Sequence, residues 1–455
     1  MILRSWIFIV VATLSTFVLA ADAPKAVSFK NDVAPILAKH CLACHGQADP
    51  KGEYQLYTFA AMLKPGESDE PPITPSKIKQ SYLFTLVSST EEGERMPKDA
   101  DPLARREIET IRRWIAEGAK FDGPDKQAEL TTYLPRRVHP AAPQRYRTPV
   151  PVAALAFSPD GDTLAVGGYR EITVWNPTEG KLVRRIGKVD QRVYALDYQP
   201  SGDLLAAATG TPGESGEAAF YDPAKGKLVR VLATSADVML GIAFSPDGKQ
   251  LVSAGADRAI RVFDVASGKR QKLIEDHADW VQGIAWNRQG TRLVSAGRDK
   301  VAKVFDVKTG EALVTFVGHE EPVYTVAFST DGKLVYSGGG DKKVRAWKES
   351  DAKEDSAIKF SGDVLKLVVW DKRIFATGTD KIVHELNTAD LKKEVRSFKG
   401  HNDYVFSLAV DAKHKRLASG GYDGQVFIWN LDNGELITSF CASPGYEAAE
   451  STAKK

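Results

Sequence analysis

Residues 319–347 read His-Glu-Glu-Pro-Val-Tyr-Thr-Val-Ala-Phe-Ser-Thr-Asp-Gly-Lys-Leu-Val-Tyr-Ser-Gly-Gly-Gly-Asp-Lys-Lys-Val-Arg-Ala-Trp. Ser329-Thr330-Asp331-Gly332 is a turn signal between two β-rich runs, and the stretch closes on an aromatic residue, Trp347. The chain repeats this plan. The turn recurs as Ser158-Pro159-Asp160-Gly161 and Ser245-Pro246-Asp247-Gly248. Aromatic residues close the corresponding strands at Trp175, Tyr221, Phe263, Phe305 and Trp429, and Leu386 fills the remaining slot. The interval is roughly 40 to 45 residues, the length of one four-stranded propeller blade. Units start near 150, 190, 236, 278, 320, 363 and 402. Residues 150–441 are therefore expected to form an all-β, seven-bladed propeller. The last unit carries its own candidate fourth strand, Glu435 to Phe440, and an N-terminal strand completing that blade is the alternative.

Finer details mark the repeat type. Asp257, Asp299, Asp341, Asp380 and Asp423 each stand six residues before a strand-end position. His277, His319 and His401 precede three of them by 22 residues, and Ser253, Ser295, Ser337 and Ser419 are the matching serines. This set resembles WD40 repeats. The resemblance implies a buried network of His, Asp, Ser and Trp within a blade, which makes these histidines structural rather than ligands. It also implies a protein-binding platform. The first two units lack the aspartate, and the second carries a Gly-rich insertion, Gly210 to Gly216, expected as an exposed loop. His384, in a strand, and His414, in a turn, fall outside the pattern and read as core or surface residues.

Ahead of the repeats stands Cys41-Leu42-Ala43-Cys44-His45. Two thiols three positions apart share one side of a helical turn, where they can add to the vinyl groups of haem. The adjacent His45 then supplies the proximal imidazole. A thioredoxin-like dithiol would follow a strand, yet Asp32 to His40 reads as helix. A zinc site would need further ligands, and the third cysteine, Cys441, lies almost at the C-terminus. Cys441 reads as a buried small apolar residue of the last strand. The expected cofactor is one covalent haem c per chain.

The flanking helices are legible. Asp32 is a candidate cap, Pro35 suits a first turn, and Val33, Ile36 and Leu37 share a face. Further on, Asp101 and Pro102 read as helix start, Ile108, Ile111 and Ile115 form a stripe beside Trp114, and Gly118 ends the run. Phe29, Asp32, Val33, Pro35-Ile36-Leu37, Cys41, Cys44-His45-Gly46, Lys51-Gly52, Met96-Pro97, Trp114-Ile115 and Gly118-Ala119 together resemble the planctomycete-type cytochrome c domain. The resemblance implies a small all-α cytochrome domain over residues 24–123, with Met96 as distal ligand. The residues themselves support Met96 independently. It sits in a polar stretch, Glu94-Arg95-Met96-Pro97-Lys98, where a core methionine is out of place, while Met62 reads as helix packing. His40 or an open position are the alternatives.

Residues 1–20 read as a signal peptide, with Arg4, an apolar run from Trp6 to Phe17 and a cut after Ala20. That run is too short for a comfortable membrane span, and no later segment is long and apolar enough. The protein is thus expected in the periplasm or otherwise exported, with no stable span after cleavage. Prolines at 124, 135, 140, 143 and 149 mark residues 124–149 as an extended linker, and residues 442–455 read as a disordered tail. The 455 residues carry 61 basic and 59 acidic side chains, a net charge of +2 that gives no reason to expect nucleic-acid binding. The expected function is an exported monohaem cytochrome performing one-electron transfer, its propeller docking a redox partner protein or a periplasmic assembly. A haem-based sensor or scaffold, and a propeller oxidoreductase feeding its own haem, are the alternatives.

Overall fold

The computed structural model describes residues 25–42, 44–46, 50–98, 100–133 and 137–446. The signal peptide and residues 447–455 of the expected tail lie outside them. The chain divides into two units, Met1–Pro135 and Arg136–Lys455.

The second unit is a ring of seven four-stranded antiparallel sheets. Each blade takes its strands consecutively from the chain. The first holds β1 (Leu155–Phe157), β2 (Leu164–Gly167), β3 (Ile172–Asn176) and β4 (Lys181–Ile186). The seventh holds β25 (Val405–Asp411), β26 (Arg416–Gly421), β27 (Gln425–Asn430) and β28 (Leu436–Cys441). The last blade therefore supplies its own outer strand, and the ring closes by packing rather than strand exchange. Val152, Leu155, Phe157 and Trp175 interlock with Ala409, Ala418, Val426 and Ile428. The Ser407 hydroxyl donates to the Val152 carbonyl at 2.8 Å across that seam. Inner strands are buried on both faces because each blade is covered by its neighbours, so stability is shared between adjacent repeats.

The polar network forms as the spacing predicts. Nε2 of His277, His319 and His401 lies 2.6, 2.8 and 2.9 Å from Ser295, Ser337 and Ser419. Their Nδ1 atoms face Asp299, Asp341 and Asp423. Irregular blades improvise. In the sixth, which lacks the loop histidine, His384 reaches back from its strand to Asp380 at 2.9 Å and also meets Glu394 at 2.8 Å. In the first, the Trp175 indole donates to Thr173 at 2.8 Å. His414, with Arg416, binds Asp411.

Four expectations for the linker, propeller and tail need correction. The Gly-rich insertion is not a loose loop but an extension of the hairpin between β6 (Leu205–Thr211) and β7 (Ser215–Asp222). Ser215 and Thr211 are held there by the Asp190 carboxylate, at 2.6 and 2.8 Å. The linker is not an extended connector but is docked at both ends. Leu130 and Tyr133 are buried in the first unit's core, while the segment from 137 onward lies on the propeller. Arg137 donates to the Glu214 carbonyl, His139 Nε2 sits 3.0 Å from Glu217, and the Tyr146 hydroxyl donates to Glu171 at 2.6 Å. The tail begins with ordered residues: Ala442 and Ser443 are buried, and Ser443 Oγ accepts the Val150 N–H. Cys441 is half-buried at the end of β28 rather than fully buried.

The first unit is a small region of few helices: α1 (Ala34–His40), α2 (Tyr82–Ser88) and α3 (Arg105–Ala116). The stretch between α1 and α2 contains Pro65, Gly66, Pro71, Pro72 and Pro75, which disfavour helix. The expected all-α domain is thus realised only as short helices joined by turns. Its core gathers Phe29, Leu37, Phe59, Met62, Ile111, Trp114 and Ile115. Phe29 packs edge-on against Phe59 with ring centroids 4.7 Å apart. Helix starts differ from expectation. Ser28, not Asp32, caps the turn before α1, accepting from Asn31 N at 2.9 Å, and Asp32 reaches back to Ser28 N. The helix expected to start near Asp101 begins at Arg105, where the Glu107 carboxylate accepts the Ala104 N–H at 2.9 Å.

Candidate functional site

Helix α1 ends at His40, and the chain continues as one tight turn. Cys41 N donates to Leu37 O and His45 N to Cys41 O, each at 2.9 Å. This turn places Cys41, Cys44 and His45 on the lining of a cavity of about 720 Å³. Leu56, Leu83, Leu86 and Val87 supply apolar lining, and Lys51, Lys98, Glu67 and Glu70 supply charge. Met96 lines the same cavity, its amide anchored on the Leu86 carbonyl at the end of α2. All four residues singled out by sequence thus border one space.

Each group has a defined orientation. His45 Nδ1 lies 3.0 Å from the Tyr54 carbonyl. A carbonyl only accepts, so Nδ1 carries the proton and Nε2 keeps its lone pair. Tyr54 is itself fixed, its hydroxyl donating to the Met62 carbonyl at 2.8 Å. Burial, and then the neighbouring Cys41, push its phenol well above the usual range. Burial, and then the nearby Cys44, push the Cys41 thiol up to about 12. A redox dithiol needs the opposite shift, toward thiolate. Among the described residues no three His, Cys, Asp or Glu side chains converge as a metal site.

His40 also borders the cavity, but its Nε2 is 3.1 Å from Glu107 Oε1. Burial raises the Glu107 carboxyl, but the Ala104 N–H, His40 and Lys39 outweigh it and hold it below the usual range. Sequence reasoning missed Tyr54 and Glu107. Glu107 carries a local signal as a third-position glutamate of a helix, whereas its contact with His40 spans 67 residues and leaves none.

Comparison with known families places both parts. Residues 41–100 match the family model described as Planctomycete cytochrome C. Residues 145–176, 226–264, 268–306, 310–348 and 392–430 match WD domain, G-beta repeat. The chain joins a planctomycete cytochrome c segment to a WD40 propeller.

The WD40 matches pass over the second and sixth blades. A stretch of the chain is similar to the 66 kDa stress protein of Physarum polycephalum, 38% identical over 64 residues, 14% of this chain and 11% of that protein. A stretch is also similar to Protein FIZZY-RELATED 1 of Arabidopsis thaliana, 27% identical over 75 residues, 16% of each. The chain thus spans only a small fraction of these relatives' length. WD40 propellers commonly mediate protein–protein interactions. Among the described residues, no helix is long and apolar enough to cross a membrane.

Proposed function

We propose that the cytochrome segment binds one haem c covalently through Cys41 and Cys44, with His45 and Met96 as axial ligands. The protein would then act in one-electron transfer outside the cytoplasm, its WD40 propeller docking the redox partner or a larger assembly. The observation that carries this reading is the tautomer of His45. The Tyr54 carbonyl accepts the Nδ1–H hydrogen bond, which leaves Nε2 as a lone-pair donor on a cavity that both thiols and Met96 also line. The residues fit the group in other respects. The cavity size lies within the range of ligand pockets, and its apolar lining suits a large aromatic macrocycle. Cys41 and Cys44 are free thiols.

When bound, haem would supply a one-electron couple, and the Met96 sulfur would favour its reduced state. The chain's own part is to fix the imidazole through Tyr54, to hold Met96 against α2, and to shield the site with Leu56, Leu83 and Val87. The test is covalency. Protein matured in a c-type-competent strain should keep its haem spectrum after denaturation and acid–acetone extraction, with a mass one haem above the mature chain. Cys44→Ala should weaken or abolish this. Haem that extracts freely from the wild type would overturn the reading.

A further inference from the structure

We propose that Glu107 is a positioning residue that keeps His40 off the haem iron and so reserves the distal position for Met96. The proposal rests on the haem reading above and adds to it a residue that selects the ligand. Two imidazoles and one thioether line the cavity: His45, His40 and Met96. Imidazole is a good ligand for iron, so a free second histidine there competes with sulfur.

The two histidines are tethered in opposite senses. His45 is held through Nδ1, which leaves Nε2 with its lone pair. His40 is held through Nε2, against Glu107 Oε1 at 3.1 Å. An ionised carboxylate only accepts, so this nitrogen carries its proton and has no lone pair for a metal. Glu107 is itself immobilised: its other oxygen takes the Ala104 N–H at 2.9 Å, and Lys39 stands 3.7 Å from the oxygen that meets His40. Side chains of the pair are only 19% and 22% exposed, so the contact is sheltered from water rather than a solvated surface pair. The tether joins the last residue of α1 to the first turn of α3, and therefore forms only once the two helices are packed.

The experiment uses the full-length haem protein in the ferric state. Wild type should show the weak far-red band of sulfur-ligated haem. Glu107→Ala should lose that band, gain the electron paramagnetic signature of two nitrogen axial ligands, and shift its midpoint potential downward. Adding His40→Ala to Glu107→Ala should restore both band and potential, a rescue that loss of a helix cap alone does not produce. A Glu107→Ala protein that keeps the wild-type band and potential overturns the proposal, and so does a double variant that fails to recover them. A wild type that itself lacks the band overturns the assignment of Met96 together with this proposal. A wild type with the band and an unresponsive Glu107→Ala overturns this proposal alone.

Discussion

Trp347 donates its indole N–H to the hydroxyl of Ser337 at 3.1 Å. That hydroxyl also meets His319, which in turn meets Asp341, so a fully buried polar chain has every member partnered. The third blade breaks the chain at both ends. Its strand closes on Phe263, whose side chain carries no N–H, and Ser235 stands where the loop histidine belongs. Ser253 is consequently buried with no hydrogen-bond partner.

Equivalent serines should therefore respond in opposite ways. Ser337→Ala leaves the Trp347 indole N–H and His319 Nε2 without a partner and should cost about 1–3 kcal/mol. Ser253→Ala removes an unsatisfied hydroxyl and should be neutral or stabilising. Thermal or urea melts of the two variants decide it, and equal losses would show that the network contributes nothing specific.

The same network sets acid sensitivity. Burial pushes the Asp341 carboxyl up, but His319, the Lys343 N–H and Arg345 outweigh it and hold the group down to about 2. A depressed carboxyl contributes stability that is present above its unfolded value of 3.8 and lost as pH falls toward the folded value. The contribution is on the order of 2 kcal/mol. Asp341→Asn should flatten the acid limb of a stability–pH profile. A limb of unchanged slope in that variant would assign acid unfolding to other carboxylates.

His384 acts on the other limb. Burial lowers its pKa, but Asp380 and Glu394 outweigh this and raise it above 6.5. Its stabilisation is complete below 6.5 and is lost as pH rises through the raised value. His384→Phe should be less stable than wild type at mildly acid pH, with the gap narrowing as pH rises. A gap that widens with pH would reverse the sign of this argument.

Met96→Ala should remove the far-red sulfur band from the ferric haem protein, lower its reduction potential and admit carbon monoxide to the ferrous form. The band persisting in that variant would exclude Met96 as ligand.

The propeller's N-terminal boundary can be set by truncation. A fragment beginning at Arg137 keeps the His139–Glu217 and Tyr146–Glu171 contacts. One beginning at Thr148 exposes both carboxylates' vacated sites and should melt measurably lower. Identical melting temperatures would return residues 137–147 to the status of a free linker.

Sequence alone determined the seven blades, the three His-Ser-Asp networks and the Cys-x-x-Cys-His turn, because each is a local spacing that one strand, hairpin or helical turn imposes. Val33, Ile36, Leu37, Ile111, Trp114 and Ile115 were legible as core for the same reason: their faces follow helical periodicity. Only the tertiary structure decided how the ring closes, that β28 stays with its own blade, and that the linker and the start of the tail are docked. It also decided that Met96 borders the same cavity as His45, that Tyr54 sets the His45 tautomer, and that Glu107 ties down His40. These are contacts between residues far apart in the chain. Packing brings such partners together, and no periodicity along the backbone records which ones will meet.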